Sequence, residues 1–180
     1  MTKPDINPDQ APLDRRHAGA LHEAGHAVIA VLLGRALCEL SIEHDSMGEG
    51  YVRRELREGT PEEILEEILI ARAGARAPEH YENWITNEDH DQHRIDQLVV
   101  KCPELVAFGM KEQWACLDPV LDLCRPCVEA LARTLFEQRK MAGKDALVLI
   151  RSKLPSTSEA RDRLAVCTER FAAMRNGPVD

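Results

Sequence analysis

The chain has 180 residues, enough for one domain or for one with a short appendage. Apolar residues make up 44% and aromatics only 4%, so the core must be built from Leu, Ile, Val and Ala, a composition that favours packed helices. Asp and Glu outnumber Lys and Arg by 31 to 23, a net charge of −8, which argues against nonspecific binding to nucleic acid or an anionic membrane, since both need basic surface.

No apolar run approaches the ~18 residues of a membrane span. Met1 to Pro12 is polar and proline-rich, without the apolar stretch of an export signal. A cytoplasmic protein with six reduced cysteines is therefore expected. Residues 1–13 read as a flexible leader. Asp14 is a good N-cap for a helix from Arg15 to Leu33, closed by Gly34. Its apolar stripe is Ala18, Leu21, Gly25, Val28 and Leu32, at spacings of three and four.

From Cys38 to Arg54 the pattern changes. Leu40 and Ile42 alternate with polar neighbours, Met47-Gly48-Glu49-Gly50 reads as a turn, and Tyr51-Val52 resumes an extended run, so a β-hairpin is expected. Thr60-Pro61-Glu62-Glu63 spells a helix start with a capping-box Glu. That helix carries Ile64, Leu65, Ile68 and Leu69 and is expected to end near Gly74 or Pro78. Glu79 to Asn87 reads as irregular, with Tyr81 and Trp84. A further helix runs from near Asp89 to about Lys101, before Pro103. Asp118-Pro119 then reads as the start of a long helix with Leu121, Cys124, Val128, Leu131 and Leu135 on one face, kinked at Pro126 and ended by Gly143. Shorter helices follow around Asp145 to Lys153 and Glu159 to Met174, the last with Leu164, Cys167, Phe171 and Met174 on one side.

The chemistry lies in His22-Glu23-Ala24-Gly25-His26, a His-Glu-x-x-His pattern in the middle of the first helix. Histidines four apart project from one helical face, so both imidazoles can reach one tetrahedral zinc ion. Glu23 sits beside the first ligand and can serve as the general base, because zinc lowers the pKa of a bound water to about 7. The two histidines form a stripe with Ile29 and Leu33 at the edge of the buried face, where they are costly to bury without a partner such as a metal. The alternative is a pair of ordinary surface histidines on an amphipathic helix. A metzincin needs Gly three and His six residues after the second His; Ile29 and Leu32 stand there, so the third ligand must come from elsewhere.

The richest cluster is Asn87-Glu88-Asp89-His90-Asp91-Gln92-His93. Asp91 shares a helical face with Ile95, Leu98 and Cys102, the face expected to pack inward. Ala24, Gly25 and Ala27 on the motif helix would let that second helix approach closely. Asp89 looks more like the N-cap, and His90 and His93 point to other faces. The bland alternative for Asp91 is a solvated first-turn acid favoured by the helix dipole.

Arg16-His17-Ala18-Gly19-Ala20-Leu21-His22-Glu23-Ala24-Gly25-His26-Ala27-Val28-Ile29-Ala30 resembles the active-site helix of the FtsH-type zinc peptidases, peptidase family M41. The resemblance continues at Gly50-Tyr51-Val52, at Ala73-Gly74 through Glu79, and at His90-Asp91, where the family has Asn-Asp followed by a helix. It implies His22, His26 and Asp91 as zinc ligands, Glu23 as the catalytic acid/base, and a mainly α, helical zincin-type peptidase domain with one small β-hairpin or sheet. Ala75 stands where the family usually has Arg, and Pro78 interrupts the family's helix. The resemblance implies a peptidase domain over residues 14–153, with 154–180 as a helical appendage packing on it. Family proteases also carry a membrane anchor and an ATPase module. The 180 residues hold no Gly-x-x-x-x-Gly-Lys-Ser/Thr loop, so a stand-alone, ATP-independent peptidase acting on peptides or unfolded proteins is expected. No nucleic-acid or membrane partner is expected, and homo-oligomerisation is left open. Two rivals are a regulatory protein-interaction module that keeps the zinc but not the turnover, and a subunit that borrows an ATPase in trans.

Cys124-x-x-Cys127 could be half a zinc site or a redox pair, but Cys124 belongs to an apolar stripe, so core packing is the plainer reading. Arg53-Arg54 with Arg57 reads as a solvated face. Trp84 and Tyr81 read either as groove-lining or as core cover, and His44 and His80 as surface residues. The hairpin's edge strand could take up an extended peptide as an added strand near the zinc.

Overall fold

The computed structural model describes residues 11–43, 50–82, 89–154 and 157–177. The described elements run α1 (Ala11–Leu32), β1 (Leu37–Ser41), β2 (Tyr51–Arg54), α2 (Pro61–Glu82), α3 (Asp89–Lys101), α4 (Glu104–Ala107), α5 (Met110–Gln138), β3 (Lys140–Ala142), α6 (Gly143–Lys153) and α7 (Thr157–Asn176). The fold is mainly helical with one small three-stranded antiparallel sheet. No helix among the described residues is long and apolar enough to cross a membrane.

Helix α1 is rich in Ala and Val, small enough to be enclosed on almost every side. Ala20, Ala24, Ala27, Val28, Ile29 and Ala30 are fully shielded. A helix apolar nearly all round belongs in the middle of a fold, and α1 packs against α2 and α5. It begins three residues before Asp14, so Asp14 lies within the helix instead of capping it, and residues 11–13 leave the expected leader. Gly34, at φ +75°, closes the other end: its N–H donates to Val31 O (3.0 Å) and that of Arg35 to Ala30 O (2.9 Å). This is a Schellman closure, which needs a left-handed residue at that point.

Strand β1 is central, in the order β2-β1-β3. Leu40 pairs with Val52 on one side and Met141 on the other, and this apolar set faces the helices. Glu39 pairs with Arg53 and Ala142 on the opposite face. There Tyr51 Oη donates to Glu39 Oε1 (2.6 Å) and Lys140 Nζ lies 2.9 Å from Glu39 Oε2. β1 and β2 are the expected hairpin; its turn falls in residues 44–49, outside those described. β3 was not expected. The long helix stops at Gln138, Arg139 takes a left-handed turn at φ 65° with its N–H on Leu135 O (2.7 Å), and the chain enters the sheet. Gly143 therefore opens α6 and does not end α5. A Cβ there would overlap the Leu37 carbonyl, so only glycine lets α6 start directly against β1.

Two proline signals are overridden by packing. α2 passes through Gly74 and Pro78 to Glu82, because Ala73 and Ala77 continue the buried face set by Ile64, Leu65, Ile68 and Leu69. α5 starts at Met110 and passes through Pro119 and Pro126, since Cys116, Leu117, Val120, Leu121 and Cys124 form one continuous buried face. A lost N–H bond at each proline is outweighed by that burial. Asp118 is thereby no cap. It takes a two-pronged bond from Arg76 (Nε–Oδ1 2.8 Å, NH2–Oδ2 2.9 Å), whose guanidinium lies 4.4 Å over the Trp114 ring. At the far end α7 buries Leu164, Cys167 and Phe171 against α5, with Phe171 edge-on to Phe108.

One charged cluster lies inside. Arg35 and Glu67, each with a side chain 1% exposed, pair at 3.1 Å. Arg54 reaches the other Glu67 oxygen at 2.6 Å, and Arg35 also meets Glu66 at 2.7 Å. Of the arginines expected on a solvated face, Arg53 and Arg57 are there, but Arg54 turns inward to Glu67.

Candidate metal centre

One turn of α1 separates His22 from His26, and their rings stand nearly perpendicular with centroids 4.6 Å apart. The two Nε2 atoms are 3.0 Å from each other. Asp91 Oδ2, from α3, lies 3.0 Å from the first and 3.1 Å from the second. These three residues form the one cluster of three or more metal-donor side chains among the described residues. All three residues expected as ligands are brought together.

Asp91 arrives there because α3 docks through Ile95, Leu98 and Cys102, which are buried one, two and three turns beyond it. Arg94 and Lys101 both pair with Glu58, pinning α3 to the segment ahead of α2. The small residues of α1 serve a different neighbour from the one expected. A Cβ on Gly25 would overlap the Ala73 carbonyl and stand 2.9 Å from Ala77 Cβ. It is α2 that approaches closely, and α3 packs on α2. Helical spacing shows that a face is small, not which helix fills it.

The site favours positive charge. Burial alone disfavours a charged His26, but the charge and hydrogen bond of Asp91, the charge of Glu23 and the Ile70 carbonyl outweigh it and raise the imidazole from 6.5 to about 9. Burial likewise disfavours a charged Asp91, yet the two imidazoles hold its carboxyl well below the usual carboxylate range. His26 Nδ1 donates to Ile70 O at 2.8 Å, so in the neutral ring the Nε2 lone pair faces His22 and Asp91. A metal-ligating histidine is oriented in just this way, with its other nitrogen on a backbone carbonyl.

These residues fit zinc. Donors about 2.0–2.1 Å from a tetrahedral ion stand roughly 3.3 Å apart, close to the 3.0–3.1 Å triangle here. Two histidines and a carboxylate leave a fourth position open, the catalytic pattern as opposed to the structural one. Part of each of these side chains is exposed: 15% of His22, 10% of His26 and 22% of Asp91.

Glu23 is buried at 5% exposure and is not one of the three donors. Its carboxylate lies against Gly50, where β2 begins: a Cβ there would stand 2.6 Å from Glu23 Oε1 and 2.8 Å from Ser41 O. The edge strand β2 thus starts beside Glu23. His90 and His93 point to solvent, as expected, with His93 Nε2 on Gln97 Nε2 at 3.0 Å. Asp89 opens α3. Two contributors were missed, Gly74 and the Ile70 carbonyl, both on the α2 face against His26. A backbone carbonyl has no sequence signature, and Gly74 read as a helix end and as part of the resemblance, not as a contact of His26.

The remaining candidates are quieter. Cys124 and Cys127 are fully buried in α5, and burial pushes both thiols up to about 12. They pack as small apolar side chains. A thiol-alkylating reagent is therefore expected to modify exposed Cys38 in the folded chain and to leave Cys124, Cys127 and Cys167 untouched until denaturant is added. Peptide mapping checks this, and early labelling at Cys124 would contradict it. His44 and Trp84 lie outside the described residues, as do the side chains of His80 and Tyr81. No protein-family model and no curated protein matches this chain.

Proposed function

We propose that this chain is a zinc-dependent metallopeptidase that hydrolyses peptide bonds in peptides or unfolded proteins, of the FtsH-like kind its first helix resembles. The carrying observation is the convergence of His22 Nε2, His26 Nε2 and Asp91 Oδ2 to within 3.1 Å of one another, although His26 and Asp91 stand 65 positions apart in the chain. His22, His26 and Asp91 hold the ion. Bound there, zinc supplies a Lewis acid that polarises the scissile carbonyl. Glu23 takes the proton of the attacking water and passes it to the departing amide nitrogen.

The outer edge of β2 provides the substrate track in this reading. β2 is an edge strand, and it starts at the Glu23 carboxylate. An extended peptide adding there as a fourth strand is held through its main chain, which suits unfolded segments of varied sequence. Buried cysteines used as core residues and the acidic surface go with a cytoplasmic setting.

Metal analysis tests the proposal directly. Purified protein is expected to hold about one zinc per chain. Asp91→Ala is expected to weaken binding by about 10²-fold or more, because complete zinc sites are worth about 10–16 kcal/mol shared among their ligands. Unchanged affinity in Asp91→Ala would remove Asp91 from the site, and a wild type that takes up no zinc would end the proposal. Stoichiometric zinc with no cleavage of any unfolded protein would instead favour the regulatory module.

A further inference from the structure

Helix α2 holds His26 from two sides. At one end of the ring, Nδ1 donates to the Ile70 carbonyl at 2.8 Å. At the other, the bare Cα of Gly74, one turn further along α2, lies against the donor end. A Cβ built on Gly74 would overlap Cε1 and Nε2 of His26 and stand 2.8 Å from Cδ2. Those atoms include the one that faces His22 and Asp91. Resting on the metal-site reading above, we infer that Gly74 is a positioning residue for the metal, whose missing side chain fixes where His26 Nε2 sits.

The backbones cannot relieve a methyl at this point. α1 and α2 are already at closest approach one residue away, where Gly25 meets the Ala73 carbonyl and Ala77. Ala24, Ala73 and Ala77 are fully buried around the crossing. The side-chain end yields first, so the imidazole must swing out, lengthening the Ile70 bond and carrying Nε2 away from its partners. Gly74 has ordinary helical dihedrals and sits inside a helix, where alanine is otherwise the better residue. The penalty therefore falls on the ring.

The test compares Gly74→Ala with Gly19→Ala, a helical glycine on α1 with nothing within 4 Å of an added Cβ. Long-range proton–nitrogen spectra of the metal-free protein report the His26 ring. Wild type and Gly19→Ala are expected to show a protected Nδ1–H proton hydrogen-bonded to the Ile70 carbonyl, which Gly74→Ala loses. Zinc affinity, read by competition with a chromophoric chelator, is expected to fall about 10–100-fold in Gly74→Ala alone, the range for lost support around a ligand. An unaltered His26 signature with affinity within twofold of wild type would overturn the inference. A wild type that takes no zinc ends the metal reading, while the ring signature still decides the role of Gly74. Thermal stability gives an independent arm that tolerates a poorly folded variant. In a His26→Ala background, Gly74→Ala is expected to cost nothing, since the ring it strikes is gone. An equal loss in both backgrounds would show a clash between helices and overturn the assignment.

Discussion

Glu23→Gln is expected to keep its zinc and to lose kcat/KM on a labelled unfolded protein by about 10²–10⁴-fold, the usual worth of a positioned general base. That loss corresponds to about 2.7–5.4 kcal/mol of transition-state stabilisation. Glutamine has the same shape, so the packing around a side chain only 5% exposed is preserved. The three donor atoms come from His22, His26 and Asp91, and none is touched. What disappears is the capacity to accept a proton at the place where β2 begins, against Gly50. The split between retained metal and lost turnover is what separates a base from a ligand. Zinc content and cleavage rate measured on the same preparations decide it. Equal rates in wild type and variant would remove Glu23 from the mechanism, and parallel loss of metal and activity would recast it as part of the binding site.

How far the sequence could be read varied with the range of the interaction involved. The motif helix was legible because one helical turn fixes both histidines, and α3 was legible because Asp91 keeps step with Ile95 and Leu98. Both are local periodicities. The partner of the small face on α1 was not legible, since Ala24 and Gly25 look the same whichever helix fills the space they leave. β3 was hidden for a related reason. Three residues are too few for alternation to register, and their partner, Glu39 to Ser41, lies about a hundred positions earlier. At Asp118-Pro119 a strong local start signal lost to a face of buried residues running through it, and Asp118 was released to bind Arg76. Glu67 did leave a trace that went unused. It sits on the stripe Ile64, Ile68, Ala71, where a solvated glutamate does not belong.

That misplaced glutamate leads to the second large effect, on stability. Glu67→Ala is expected to cost about 3–5 kcal/mol, the penalty for leaving a buried charge without its counter-ion. For a chain of this length the midpoint of thermal unfolding falls by roughly 6–20 °C. Glu67 accepts from Arg35 with one oxygen and from Arg54 with the other, and its first oxygen also takes the Arg57 N–H at 3.3 Å. It thereby ties the segment after α1 and the strand β2 to α2. Removing it leaves Arg54 with the Glu55 carbonyl but without its carboxylate, and leaves Arg35, whose side chain is 1% exposed, with Glu66 alone. Replacing the pair together, as Arg35→Met with Glu67→Leu, is expected to recover much of the loss, because two apolar side chains need no counter-charge. Arg54 then becomes the residual liability, and adding Arg54→Met is expected to bring the chain closer still to wild type. Urea unfolding of the four proteins measures the series. If Glu67→Ala unfolds within about 1 kcal/mol of wild type, the range of an exposed ion pair, the cluster is solvated in solution and the anchoring of β2 beside Glu23 must come from the sheet alone.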